Sequence, residues 1–266
     1  MTTNIRDLTL IRILLEILVE IETNRGNNSA AIRYLRIAVV YGVKGALFKL
    51  GIIYYNTENL NLALYYFKLA SEKEGCINSH YYAGYIYYKN KEYNNAIPYL
   101  KLSADQGCKK SQWCLGYIYE EIGDIDNAIR YLKLAAAQGC KGSQCYLGMI
   151  FDKYKGCIDK SKQYYRYAAE QGCPIAQCHL ANIYNRTNDT ENALYYLKLA
   201  VEQGCKASQE IIDSIQKTQS NETISLKRKR EASDTGAEPT EDIYSSDDDT
   251  VLIICDSDIE SDNDSK

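Results

Sequence analysis

Apolar residues recur along this chain with a helical period, and the periodic text itself repeats. From Ser111, SQWCLGYIYEE places Ser111, Leu115, Ile118 and Tyr119 at i, i+4, i+7 and i+8, one face of a first helix. A short polar break follows, and then IDNAIRYLKLAAAQGC carries Ala128, Tyr131, Leu132 and Ala135 on one face of a second. Similar text starts at Ala46, Ser79, Ser143 and Ala176, so the period is 32 or 33 residues. Self-similarity at that period predicts a solenoid, in which each unit buries its apolar face only by stacking on its neighbours.

The columns of this repeat have separate physical duties. Ile53, Ile86, Ile118, Ile150 and Ile183 share one register position and are expected in the core. Asn59, Asp124 and Asp189 stand where a second helix needs an N-cap acceptor. Small residues mark a close helix crossing, with Gly51, Gly84, Gly116 and Gly148 on first helices and Ala63, Ala96, Ala128 and Ala193 on second ones. Gly75, Gly107, Gly139, Gly172 and Gly204 close the units.

The Leu-Gly-x-x-Tyr of the first helix and the Ala…Tyr-x-x-x-Ala of the second resemble tetratricopeptide-type hairpins. The closing Ala-x-Gln-Gly, followed by a small residue opening the next unit, resembles the Sel-one-like branch of that superfamily, over residues 46 to 207 and more weakly 8 to 217. The Gly-x-Gly-Val loop of that family is missing, Ala181 replaces the glycine and Ser161 the alanine. The expected fold is an all-α solenoid of about six stacked helical hairpins, with a capping helix and a disordered acidic C-terminal tail. Residues 1–45 form a degenerate N-terminal hairpin, and five repeats follow at 46–78, 79–110, 111–142, 143–175 and 176–207. A capping helix covers 208–217, and 218–266 is the tail. The leading run LTLIRILLEILVEI, broken by Arg12, Glu16 and Glu20, reads as a helix of that first hairpin rather than a secretory signal or a membrane span.

Ten cysteines carry the first candidate chemistry. Cys76, Cys108, Cys140, Cys173 and Cys205 follow the closing glycines, about one repeat apart, too far to pair with each other or to share a metal. They read as small hydrophobes, with disulfides or zinc as the alternative. His80 and His179 have no recurring ligand partner, and no phosphate loop, nucleophile elbow or paired-histidine zinc motif occurs. An enzyme, a cofactor and a metal are therefore not expected; a thiol-based redox activity is the weakest alternative.

Two rows run along the array. Phe48, Ile52 and Tyr55, then Tyr81, Tyr85 and Tyr88, then Trp113, Tyr117 and Glu120, line the exposed stripe of successive first helices, continuing as Cys145, Met149, Asp152, Cys178, Asn182 and Asn185. Large rings lose little rotamer entropy on contact, so Phe48, Tyr55, Tyr81, Tyr85, Tyr88, Trp113 and Tyr117 are the candidate peptide groove. The competing reading packs some of these rings between repeats. Arg36, Lys68, Lys101, Lys133, Arg166 and Lys198 share one position of the second helix. Residues 1–230 hold 30 basic and 22 acidic side chains, too mild an excess for a dedicated nucleic-acid binder, so that row reads as a solvated face.

The tail changes the partners. Lys227, Arg228, Lys229 and Arg230 form a basic tetrad resembling a monopartite nuclear-import signal, and residues 231–266 carry 13 acidic residues against one lysine. Within that acid, Val251, Leu252, Ile253 and Ile254 are consecutive β-formers, followed by Asp256 and Asp258. The segment 247–262 resembles a SUMO-interacting motif, an added strand whose acids face a basic rim. The expected molecule is a non-enzymatic adaptor, nuclear or nucleocytoplasmic, with protein partners in the groove, SUMO or SUMOylated proteins on the tail, no nucleic acid and no membrane. Its alternative is a cytosolic scaffold or ubiquitin-linked quality-control adaptor acting through the solenoid alone. The heavy use of Asn, Ile, Tyr and Lys suggests an AT-rich genome, and a viral source is among the expectations.

Overall fold

A computed structural model describes residues 5–235. Among them are thirteen helices and no strand: α1 Ile5–Asn24, α2 Asn28–Val40, α3 Ala46–Asn56, α4 Leu60–Glu74, α5 Ile77–Lys89, α6 Tyr93–Ala104, α7 Lys109–Glu121, α8 Ile125–Ala137, α9 Lys141–Lys153, α10 Ile158–Glu170, α11 Pro174–Arg186, α12 Thr190–Glu202 and α13 Lys206–Thr235. α1 through α12 pair in order as six hairpins of a helical-repeat solenoid, the class expected from the sequence. They fall into two compact units divided after Cys140. In the first unit four hairpins stack through α2 on α3, α4 on α5 and α6 on α7; in the second, α10 packs on α11 and α12 on α13.

The hairpin turns follow from their caps. Asn27, Asn59, Asp124 and Asp189 each accept the backbone N–H three residues on, at 3.2–3.3 Å, occupying one of the free donors of the second helix. One left-handed residue reverses the chain just before the cap. Gly123 supplies it at φ 82° without strain, whereas Glu58 and Lys91 are forced to φ 59°.

Each hairpin closes on a pairing that the sequence did not display. The first-helix glycines face large residues of the second helix rather than its alanines. A Cβ on Gly51 would lie 2.5 Å from Phe67, one on Gly84 2.7 Å from Leu100 and one on Gly148 2.6 Å from Tyr165; one on Gly116 would strike Leu132. Those four partners are at most 1% exposed. Where Ala181 replaces the glycine, its cluster partner is Leu197. Ser161, the other departure, is buried and donates to the Gly148 carbonyl at 2.9 Å.

Stacking uses buried polar groups as well. Gln112, near the start of α7, donates to the Ala104 carbonyl ending α6 at 3.1 Å, and accepts from Gln138 at 2.8 Å. Gln177 reaches the Ala169 carbonyl in the same way, and Gln171 meets Gln144 at 2.7 Å. The glutamine of the closing Ala-x-Gln-Gly thus holds the glutamine that ties its hairpin to the preceding one. Fully buried Ser111 hydrogen-bonds Ser103, which explains the small residue opening that unit.

The two ends differ from a plain cap. α1 buries Leu15 and Val19 on the cluster of Leu35, Ala38 and Leu50, while Leu10, Leu14 and Ile17 on its other side are at least half exposed. α13 buries Ser208, Ile212 and Ile215, as expected of a capping helix. It then continues to Thr235 instead of stopping at 217, so the basic tetrad lies on a helix and not in a disordered linker. No glycine or proline interrupts Lys206–Thr235, and its Lys, Arg, Glu and Leu favour helix. This stretch lacks an apolar period, and its described apolar residues Ile224 and Leu226 are exposed. Among the described residues no helix is long and apolar enough to cross a membrane.

Candidate peptide-binding face

The seven aromatic groove candidates all lie in the first unit, on α3, α5 and α7, and all are half-buried. The two outermost belong partly to the core. Phe48 meets Phe67 and Tyr82 at 5.8 Å, and Tyr55 meets Tyr82 edge-on at 5.5 Å. Tyr82 stacks on fully buried Phe67 at 5.0 Å and 15°. Phe48 and Tyr55 therefore follow the competing reading, packing between neighbouring repeats around Tyr82. Tyr82 was missed because it sits one residue off the stripe; the adjacent pair Tyr81-Tyr82 was its signal.

The rest form a continuous aromatic track. Tyr81 touches Tyr82 at 5.1 Å and Tyr85 at 5.5 Å, and Tyr85 touches Tyr88 at 5.8 Å. Tyr88 then crosses to α7, edge-on to Tyr117 at 5.5 Å and to Trp113 at 6.3 Å, and those two stack at 6.2 Å. α5 and α7 pack directly, which brings the rings together. Burial pushes the Tyr81 phenol far up, so this ring is the track's anchor. Tyr117 is pushed up to about 12 by burial and by Glu121, and stays a neutral hydrogen-bonding phenol at any physiological pH. Tyr85, Tyr88, Trp113 and Tyr117 are half-buried rings that combine aromatic surface with polar atoms.

In the second unit the stripe has another character. Cys145 and Cys178 are buried, Met149 is half-buried, and Asn182 and Asn185 are exposed. Asp152 lies 3.9 Å from Arg186.

The basic row is not a plain solvated face. Four hairpins carry a stacked tyrosine pair, one ring from each helix: Tyr54 with Tyr66, Tyr87 with Tyr99, Tyr119 with Tyr131, and Tyr184 with Tyr196. The basic residue of the preceding hairpin reaches that pair. Arg36 donates to the Tyr54 hydroxyl at 3.4 Å and Arg166 to that of Tyr184 at 3.0 Å, while Lys101 Nζ lies 5.7 Å from the Tyr119 ring. The guanidinium of Arg166 and the ammonium of Lys101 have their pKa values raised by these tyrosines. Arg36, Lys68, Lys101 and Arg166 thus tie one hairpin to the next, while Lys133 and Lys198 are exposed.

The histidines also have structural places. His80 is buried with Nδ1 2.9 Å from the Cys76 carbonyl. His179 stacks on Tyr165 at 5.0 Å, and burial lowers its pKa. Among the described residues no three metal-ligating side chains converge. The post-glycine cysteines meet partners that the sequence reading did not consider: Cys205 meets Cys178 of its own hairpin, and Cys173 meets Cys145. The segment 247–262, with Val251, Leu252, Ile253, Ile254, Asp256 and Asp258, lies outside the described residues, and of the tetrad only the side chain of Lys227 is described, as exposed.

Comparison with known proteins bears on the fold. A tetratricopeptide repeat model matches residues 111–137. A protective antigen of uropathogenic Escherichia coli displaying an SLR fold superposes with a TM-score of 0.64 at 23% identity, over 78% of this chain and 50% of that one. This chain thus spans about half the length of that protein. A Sel1 repeat protein from Oxalobacter formigenes gives 0.60 at 20% identity, over 76% and 89% of the two chains. YrrB, a TPR protein with an unusual peptide-binding site, gives 0.50 at 18%, over 64% and 92%. No curated protein matches by sequence. Repeat text, hairpin geometry and these neighbours agree that the chain has the tetratricopeptide/Sel1-like repeat fold, a fold of interaction scaffolds.

Proposed function

We propose that this protein is a non-enzymatic adaptor whose first unit binds a partner peptide along Tyr81, Tyr85, Tyr88, Trp113 and Tyr117. The observation that carries this is the unbroken aromatic track across α5 and α7, made of half-buried rings in mutual contact. Such rings give large contact area at low entropy cost. Panning a displayed peptide library on the whole chain tests it. Tyr85→Ala/Trp113→Ala/Tyr117→Ala should lose the selected peptides and keep its helicity. A variant that still binds them would remove the reading, and a collapse of helicity would make the rings core.

The tail would supply an address and a second contact. Lys227–Arg230 lies beyond Ile215, the last residue of α13 that is buried among those described, and is assigned nuclear import, which makes the protein nuclear or nucleocytoplasmic. Val251–Ile254 with Asp256 and Asp258 is assigned SUMO binding. Its affinity should fall at about the micromolar-to-millimolar level, because a few strand hydrogen bonds must offset the ordering of the segment. Titrating labelled SUMO with the full chain should shift its sheet-edge resonances. Ile253→Ala/Ile254→Ala should abolish those shifts, and Asp256→Asn/Asp258→Asn should weaken them less as salt rises. Identical shifts from wild type and the double-alanine chain would dismiss the motif.

A further inference from the structure

Two hairpins of the second unit bring thiols together in the same way. Cys178 lies on α11 and Cys205 closes the hairpin of α11 and α12; their sulfurs are 3.4 Å apart. One hairpin earlier, Cys145 on α9 donates its S–H to Cys173, which closes the hairpin of α9 and α10. Cys145 and Cys178 occupy one register position, the one that holds Phe48, Tyr81 and Trp113 in the first unit. There the closing thiol has a ring for its neighbour, as Cys108 has Tyr81. In the α7–α8 hairpin the thiol lies one residue on, at buried Cys114, near Cys108 and Cys140, so this register position holds a thiol only in the second unit.

We propose that Cys145–Cys173 and Cys178–Cys205 are two dithiol modification sites, each converted by a hydroperoxide into a disulfide within its hairpin. The attacking sulfurs are those of the closing loops. Cys205 is half-buried, and Cys173 is more open than Cys145, at 8% against 3% exposure. Cys173 is also the N-cap residue of α11, so its sulfur sits beside the first backbone N–H groups of that helix. The Cys145 S–H and these N–H groups lower the Cys173 pKa, which favours the nucleophilic thiolate.

The chemistry balances in two steps. The closing thiolate attacks one peroxide oxygen, so an S–O bond forms, the O–O bond breaks, and the departing alkoxide takes a proton and leaves as alcohol. The first-helix sulfur then attacks the sulfenic sulfur. The S–S bond forms, the S–O bond breaks, and hydroxide leaves as water with the proton of the second thiol. Two thiols are oxidised by two electrons and one hydroperoxide is reduced. A 3.4 Å separation needs only side-chain rotation and a small approach to reach the bond length of about 2.05 Å. Because Cys205 directly precedes α13, the second link would fasten the root of that helix to α11.

Peptide mapping of the full chain tests this. The chain is treated with hydrogen peroxide, alkylated and digested without reductant. Two linked pairs, 145–173 and 178–205, should dominate, each lighter by two hydrogens than its parts, and dithiothreitol should remove both. Cys173→Ser should delete only the first pair and Cys205→Ser only the second. Cys76 and Cys157, half-buried but outside these pairs, should remain alkylated and serve as the internal control. The wild-type map decides the matter even if a serine variant fails to fold. Peroxide that consumes Cys205 as sulfinic acid without linking it, or links spread equally over Cys76 and Cys157, would overturn the proposal.

Discussion

The close approach of α7 and α8 makes a signed prediction. Gly116→Ala places a methyl against Leu132, which is fully buried and has no free space to enter. Such overpacking costs about 1–3 kcal/mol, while alanine in a helix interior gains about 1 kcal/mol over glycine. The net should lie between no change and a loss of about 2 kcal/mol. Leu132→Ala alone should cost about 2–5 kcal/mol through the cavity it leaves. In that background the clash is gone and only the helix gain remains, so Gly116→Ala should become stabilising by about 1 kcal/mol. The coupling is then about 1–3 kcal/mol, within the range for residues in contact. Gly84 and Leu100 provide the contrast. A Cβ on Gly84 also lies 3.1 Å from the backbone nitrogen of Leu100, which no truncation removes, so Leu100→Ala should rescue Gly84→Ala only in part. Urea unfolding followed by circular dichroism and by the fluorescence of Trp113, the single tryptophan, on α7 itself, reads both cycles. Additivity within about 0.5 kcal/mol at Gly116 and Leu132 would refute the facing of glycine and leucine on which the hairpin geometry rests.

Further outcomes follow from other contacts. Arg166→Met and Tyr184→Phe should each lose about 0.5–1.5 kcal/mol, and the double variant no more than the larger single loss, in the same urea assay; full additivity would mean that the two do not act as a pair. His179, whose pKa is depressed by burial, is held neutral in the fold, so stability should be fully present above its unfolded pKa of about 6.5 and decline as pH falls toward the folded value. Melts of His179→Phe from neutral to mildly acid pH should lack that decline, and an unchanged pH profile would count against it. Lys91→Gly should raise stability by about 1 kcal/mol by relieving a left-handed residue, measurable as a higher urea midpoint at the same slope.

How far the sequence could be read depends on the direction of the contact. Contacts along one helix leave a period in the text, so the helices, the caps Asn59, Asp124 and Asp189, and the core column through Ile53 and Ile118 were all legible. Contacts between helices appear only as offsets, and offsets must be looked for. Arg36 to Tyr54 and Arg166 to Tyr184 are each 18 residues apart, so the cation row and the tyrosine columns were visible separately while their meeting was not. The same holds for Cys178 and Cys205, 27 residues apart, and for Gly116 against Leu132. α13 fails in the opposite sense. Its second half has no apolar period, with Ile224 and Leu226 exposed, and amphipathicity cannot report a helix without a core face.

These offsets narrow where recognition can reside. The second-helix cations that looked available to an acidic ligand are drawn toward the tyrosine pairs of the next hairpin, so a ligand would have to compete with an existing tie. The glycine column varies in these five repeats only at Ala181, because a side chain at Gly51, Gly84 or Gly148 meets Phe67, Leu100 or Tyr165. What remains free is the first-helix position before that glycine, which holds Phe48, Tyr81 and Trp113 in one unit and Cys145 and Cys178 in the other. Its neighbours are a stripe ring and a closing thiol, neither of which carries the hairpin crossing, so the residue type there can change from ring to thiol without disturbing the glycine–large-residue contact. One register position thus carries rings in the first unit and thiols in the second. Cys145→Trp would test that division: it should leave the helicity of the second unit intact and delete the 145–173 link.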